Sequence, residues 1–212
     1  AAMKSTTCIP IVPFVIALGS PPALPAVLKL VPEGAAAGAA FGMTLSLRDP
    51  LLVIGAPSDT GAAPFAGAVY VESADGRNWS LTAPEAAPGG GFGRAVGTDG
   101  ALIVVGTPSG NGRAYVFRFN GDQWMEEFLS RGGRAPGTAV AVSGERFIAS
   151  VSSRVDDGRL IGSGSAVIHR FDGLNWVREF SDATSYSSAF NSDGFGTAVA
   201  LDGGTAVASG HQ

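Results

Sequence analysis

The stretch that decides the fold is residues 41–57, which read FGMTLSLRDPLLVIGAP. A close copy occupies residues 92–108, FGRAVGTDGALIVVGTP, and another occupies residues 195–210, FGTAVALDGGTAVASG. A degenerate copy runs from Pro136 to Ser150. Each copy holds two short apolar or alternating runs separated by a turn, which is the pattern of two β-strands. The chain is therefore built from an internal repeat.

A second half-repeat follows the copies that begin at residues 41, 92 and 136. It occupies residues 67–79, 113–124 and 165–176, and each time an apolar run leads to an Asp-Gly or Asn-Gly pair and then to a tryptophan. These pairs predict hairpins, because both central residues of a type I′ turn need a positive φ. A four-stranded unit of roughly 45–50 residues, repeated along the chain, is typical of the blades of a β-propeller.

The repeats divide the chain into two parts. Residues 28–212 form the predicted propeller region and residues 1–27 an N-terminal segment. We expect an all-β fold with four-stranded blades near residues 41–82, 92–129 and 137–180 and a partial blade at residues 195–210. In the N-terminal segment, Lys4 followed by the apolar run Ile9–Leu18 fits a secretory signal. A buried strand or an irregular arm is the alternative, since Pro10 and Pro13 interrupt the run.

Composition excludes several function classes. The net charge is −4 and no basic stripe is present, which argues against a nucleic-acid partner. The single cysteine, Cys8, allows neither an internal disulfide nor a cysteine metal cluster, and the two histidines make a histidine-built zinc site unfavourable. The longest apolar run, Cys8–Leu18, is shorter than the about 20 residues that a membrane-spanning helix needs.

These motifs resemble the FG-GAP repeat, the blade unit of integrin α-chain propellers and of many secreted bacterial proteins. The residues that carry the resemblance are Phe41, Gly42, Gly55, Pro57, Phe92, Gly93, Gly106, Pro108, Phe195 and Gly196. The resemblance implies a partial propeller, with the remaining blades supplied by a longer chain. It also implies an extracellular or periplasmic location.

The chain departs from this family at the calcium loop. Many members carry an Asp-x-Asn-x-Asp-Gly-x-x-Asp loop between the first and second strands. Here that place holds residues 48–50, 98–100, 143–145 and 202–204, each with at most one carboxylate. Calcium takes six to eight oxygen ligands, so we expect no metal site at these turns. We also expect no cofactor.

Three further motifs have a functional and a structural interpretation. Gly91–Gly97 imitates a dinucleotide-binding loop, but a strand follows it where that loop needs a helix. Asp156 and Asp157 could bind a cation, yet adjacent residues point apart in an extended chain, and a solvated turn is favoured. His169 is expected to be a partly buried strand residue. We therefore predict no catalytic residue.

The tryptophans have two possible roles as well. Trp79, Trp124 and Trp176 recur at the start of each fourth strand. Exposed aromatic rings bind sugars and proteins, whereas equal placement in three repeats favours packing between neighbouring blades.

Function is expected where the connections between strands are long. The connections at one end of the blades are Ala56–Ala66, Pro84–Gly91, Ser152–Gly164 and Ser181–Gly194, whereas the turns at the other end are short. Long loops on a rigid scaffold are common binding sites. The sequence thus favours a binding or adhesion module for a protein or glycan. A propeller within a secreted hydrolase or lyase, and a purely structural repeat, are the alternatives.

We expect millimolar calcium to leave the melting temperature unchanged. A ligand that binds only the native state raises stability by RT ln(1 + [L]/Kd), and the four short turns offer too few oxygens to bind calcium tightly. Differential scanning fluorimetry with calcium and with chelator measures this. A rise of several degrees that chelator abolishes would contradict the expectation.

Overall fold

The described part of the chain consists of β-strands and turns. The computed structural model describes residues 30, 37–108, 112–130, 137–156, 159–183 and 195–209, and these residues contain no helix. They form three four-stranded antiparallel sheets and one two-stranded sheet. The predicted all-β fold with four-stranded blades is therefore confirmed.

Each sheet follows the chain order, so that neighbouring strands in sequence are neighbours in space. Sheet I contains β1 (Thr44–Arg48), β2 (Leu51–Ala56), β3 (Ala68–Ser73) and β4 (Asn78–Leu81). Sheet II contains β5 (Ala95–Thr98), β6 (Leu102–Thr107), β7 (Arg113–Phe119) and β8 (Trp124–Ser130). Sheet III contains β9 (Ala139–Ser143), β10 (Arg146–Asp156), β11 (Arg159–Phe171) and β12 (Trp176–Ala183). Sheet IV contains β13 (Val199–Asp202) and β14 (Thr205–Ala208).

The sheets are stacked in sequence order along an arc. The first strands are in contact from one sheet to the next, β1 with β5, β5 with β9 and β9 with β13. This is how the inner strands of a propeller meet around its axis. The described residues form a partial propeller that does not close into a ring.

Two apolar cores lie between the sheets, because alternate residues of a strand face opposite neighbours. The core between sheets I and II includes Val53, Val69, Val71, Ile103, Val105, Tyr115 and Phe117, with Phe92 wholly buried among them. The core between sheets II and III includes Leu102, Val104, Ala114, Val116, Phe147 and Ala149. Sheet II therefore uses one face for each neighbour.

Glycine allows the sheets to approach each other at the backbone. A Cβ on Gly55 or Gly106 would lie well under 3.0 Å from the carbonyl oxygen of Gly93 or Gly137 in the next sheet. Gly55 pairs with Thr44 and Gly106 with Ala95, so the two glycines occupy the same place in their sheets. In sheet III that place belongs to Ser150, whose hydroxyl donates a hydrogen bond to the carbonyl of Gly196.

The hairpins before the tryptophans form, but the predicted type I′ geometry is wrong. Gly76, Gly121 and Gly173 have positive φ values of 87°, 105° and 100°, whereas the Asp or Asn before each has no positive φ. Instead, that side chain accepts a backbone hydrogen bond from two residues further on, as Asp172 does from Leu174 at 2.9 Å. This local bond stabilises an Asx turn without a second left-handed residue.

The predicted long loop Ser152–Gly164 is also wrong. β10 extends to Asp156 and β11 begins at Arg159, and the two strands pair to their ends. β9 pairs with β10 only as far as Ser150, so the rest of the hairpin projects beyond the sheet as two strands. In this stretch, serines and glycines interrupt the alternation of apolar and polar residues by which a strand is recognised.

Gly106→Ala is expected to destabilise the protein by about 1–3 kcal/mol or more, because the new methyl group forces apart two backbones that cannot repack. Gly204→Ala is the matched control, since a Cβ there meets nothing within 4 Å. Urea unfolding of both variants measures the difference in unfolding free energy. Equal stability of the two would show that the sheets do not depend on this contact.

Candidate functional site

The long connections emerge at one end of the sheets. Residues 57–67 join β2 to β3, and residues 82–94 join β4 to β5. The projecting part of the β10–β11 hairpin lies at the same end, because it also connects a second strand to a third. These three elements are called the long-loop face below. The predicted connection Ser181–Gly194 falls largely outside the described residues.

The two long loops are joined by backbone hydrogen bonds. Gly89 N–H donates to the carbonyl of Pro64 at 2.8 Å, and Phe92 N–H donates to the carbonyl of Ala66 at 2.8 Å. A parallel bridge between Gly67 and Phe92 continues the contact. Since the first loop lies within sheet I and the second leads from sheet I to sheet II, the pairing makes a single surface of the two loops.

Phe65 lies at the exposed part of this surface. Its side chain is 60% exposed, and its φ is 54°. Left-handed backbone is unfavourable for a bulky residue, and such outliers cluster at functional sites. The conformation is held in place, since Gly91 N–H donates to the Phe65 carbonyl at 3.2 Å.

A buried carboxylate anchors the first loop. Asp59 is 4% exposed and accepts hydrogen bonds from the Tyr70 hydroxyl at 3.0 Å and from Gly61 N–H at 2.8 Å. Burial, and then the hydrogen bond to Asp59, raises the pKa of Tyr70 to about 12. The backbone carbonyl of Asp59 also accepts from Gly67 N–H at 3.0 Å. The sequence patterns did not predict this pair, although Asp59 is a lone acid just after a buried strand.

The predicted tryptophans lie between neighbouring blades. Trp79 and Trp124 meet edge to face with centroids 6.5 Å apart, and Trp79 Nε1 donates to the carbonyl of Asp122 in sheet II at 3.0 Å. Trp176 of sheet III packs on Phe128 of sheet II, with centroids 6.0 Å apart. The tryptophans are near the short turns, at the end opposite to the long-loop face.

Most of the other predicted repeat residues also lie at packing positions. Phe41 packs edge to face on Tyr70 with centroids 5.4 Å apart, and Phe92 does so on Tyr115 at the same distance. The structure places the remaining ones as follows: Gly42 exposed, with a φ of 83°; Phe195 and Pro108 half-buried; and Gly55, Pro57, Gly93, Gly106 and Gly196 buried. The structure does not bring these residues together in one cavity.

His169 is enclosed by aromatic rings. It is 4% exposed and stacks on Phe147 with centroids 4.9 Å apart. Burial, together with the nearby Arg178 charge, lowers the pKa of His169 to about 4. Asp157 lies outside the described residues, so the predicted Asp156–Asp157 pair is not described. In the described ranges, no group of three His, Cys, Asp or Glu residues could hold a metal ion.

Comparison with known proteins identifies one repeat. Residues 26–71, which include β1, β2 and the beginning of β3, match the family model of the FG-GAP repeat. No curated protein matches the chain. No helix in the part of the chain that the structure describes is long and apolar enough to cross a membrane.

Tyr70→Phe is expected to cost about 1–3 kcal/mol, because it removes the hydroxyl that donates to one oxygen of the buried Asp59 carboxylate, while Gly61 N–H still donates to the other. It is also expected to reduce the loss of stability between pH 10 and pH 12. In the wild type, the unfolded chain releases the Tyr70 proton near 10.0 and the folded protein only near 12, so rising pH favours unfolding. Urea unfolding across this pH range measures both effects.

Tyr115→Phe serves as the control, since that hydroxyl accepts a hydrogen bond from Arg113 at 3.3 Å and touches no buried carboxylate that we describe. If the two variants lose the same stability, Asp59 does not depend on Tyr70.

Proposed function

From the FG-GAP repeat at residues 26–71, we propose that the chain is an extracellular or periplasmic binding or adhesion module. A β-propeller with this repeat is a module often used for binding. The partner contacts the long-loop face, and the blades of residues 28–212 serve as its rigid support.

The observation that carries the proposal is the exposed Phe65, whose loop is joined to the second long loop by backbone hydrogen bonds. At interfaces, aromatic side chains whose surrounding contacts exclude water often contribute most of the binding energy. A ring whose backbone is already fixed loses little further entropy when a partner binds. Under this proposal, the left-handed backbone at Phe65 serves to present the ring to the partner.

The chemistry around Phe65 favours a protein partner over a glycan. Exposed residues next to it on the two loops include the small apolar Ala62, Pro64, Ala87 and Pro88. The one acid of the first loop, Asp59, is buried, and Glu85 of the second is paired with Arg113 at 2.7 Å. Sugars need several polar groups beside an aromatic ring, whereas an apolar patch on another protein fits this surface directly.

The alternatives have less support. A hydrolase or lyase needs a titratable group that substrate can reach, and His169 is enclosed by Phe147 and Phe128. A purely structural repeat would have no use for a bulky exposed residue in left-handed backbone.

Phe65→Asn tests the proposal, because asparagine tolerates left-handed backbone and removes the ring. The purified protein is screened against arrays of extracellular proteins and of glycans, and each partner is then titrated by surface plasmon resonance. We expect a protein partner whose affinity falls at least about tenfold in Phe65→Asn, as at an interface hot spot. Thermal stability is expected to be unchanged or slightly higher.

Leu174→Asn is the matched control. Leu174 is the most exposed of the large apolar residues that we describe, at 87%, and lies in the turn before β12, at the opposite end of the sheets. Its substitution should leave the affinity unchanged. Partners that respond to Leu174 and not to Phe65, or an absence of partners on both arrays, would refute binding at this face.

A further inference from the structure

An apolar row lies exposed on the first strand of sheet I. Met43, Leu45 and Leu47 are 52%, 62% and 65% exposed. They alternate with Thr44 and Ser46, which bond to sheet II: the Thr44 hydroxyl donates to the Gly93 carbonyl at 2.7 Å, and Ser46 Oγ accepts from a backbone N–H at 3.0 Å. The row therefore points away from sheet II. Met43, Leu45 and Leu47 are called the β1 row below.

The equivalent positions in the next sheets are covered. The strand registers place Val96 of sheet II, and Val140 and Val142 of sheet III, where Leu45 and Leu47 lie in sheet I. Those valines pack against the core that each sheet shares with the sheet before it. The β1 row thus lies on the side of sheet I that, in sheets II and III, packs against the preceding sheet. Its leucines are larger than those valines and would bury more apolar area.

Part of this side is already covered by the chain itself. Leu45 pairs with Ile54, and Ile54 pairs with Tyr70, so all three share one face of sheet I. Ile54 and Tyr70 are buried, and Leu30 packs against the cluster that they form with Ala39 and its neighbours. Leu30 therefore lies at the face on which the β1 row is exposed.

We propose that the apolar run Ile9–Leu18 docks on the β1 row. This run, IPIVPFVIAL, contains no charged side chain. The residues between Leu18 and Leu30 can extend by about 3.3–3.6 Å each, which is ample to cross a four-stranded sheet with strands about 4.8 Å apart. Pro10 and Pro13 cannot donate to the ladder of a central strand, so the run docks through its side chains. This docking is independent of the binding proposed for the long-loop face.

Cys8 supplies a direct test, because it is the single cysteine and immediately precedes the run. The full chain is labelled at Cys8 with a maleimide-benzophenone, illuminated and digested with trypsin. The β1 row lies in the tryptic peptide Leu30–Arg48. We expect fragment spectra to locate the cross-link at residues 43–47, in material that migrates as a monomer.

Two double variants make the test specific. Leu45→Ser with Leu47→Ser should lower the cross-link yield at least about tenfold, since two leucine burials are lost. Met125→Ser with Phe180→Ser removes two residues that are 52% and 53% exposed in sheets II and III and should leave the yield unchanged. All four sites are exposed, so these variants are expected to fold.

Three results would overturn the proposal. A cross-link between two chains would mean that a second copy covers the β1 row. A cross-link spread over the surface, or none, would mean that the run does not dock there. A yield that does not respond to Leu45→Ser with Leu47→Ser would mean that the row is not the contact.

Discussion

The close approach of one sheet's backbone to the next determines the arrangement of the blades. At Gly55 and Gly106, the absence of a side chain allows the carbonyl of Gly93 or Gly137 to lie where a Cβ would be. The inner strands can then stack, and the apolar faces farther out reach packing distance. Both apolar cores depend on this spacing, because dispersion contacts are lost quickly once a gap opens between two surfaces.

The same spacing brings together the loops at the end of the sheets. Gly67 of the first loop lies so close to the Phe92 backbone that a Cβ on Gly67 would clash with the backbone nitrogen and carbonyl oxygen of Phe92. Phe92 in turn fills the core between sheets I and II. The surface that carries Phe65 is thus an extension of the packing between blades. A protein that binds through it would contact a scaffold whose shape is already fixed.

The sequence predicted those features that recur in the repeats. Strand alternation, paired glycines and the spaced tryptophans indicated an all-β propeller, and the structure has the predicted four-stranded sheets. Features that occur once were missed, because no pattern repeats them. The bond between Asp59 and Tyr70 joins residues from different elements, and the left-handed Phe65 depends on hydrogen bonds from a second loop. The sequence pattern predicts a loop where the β10–β11 hairpin lies, because the stretch is rich in serine and glycine and glycine is depleted in strands.

The serine at position 150 makes the third junction different from the first two. At the first two junctions a glycine lets the carbonyl of the next sheet approach, and at the first the Thr44 hydroxyl also donates to that carbonyl. At the third junction Ser150 stands in place of the glycine and donates a buried hydrogen bond to the Gly196 carbonyl. The described part of sheet IV has two strands, and both apolar clusters between sheets lie on the other side of sheet III or farther back. The amides of β13 and β14 would therefore exchange with deuterium well before those of β6 and β7. The arc would fray from this side inward, one blade at a time.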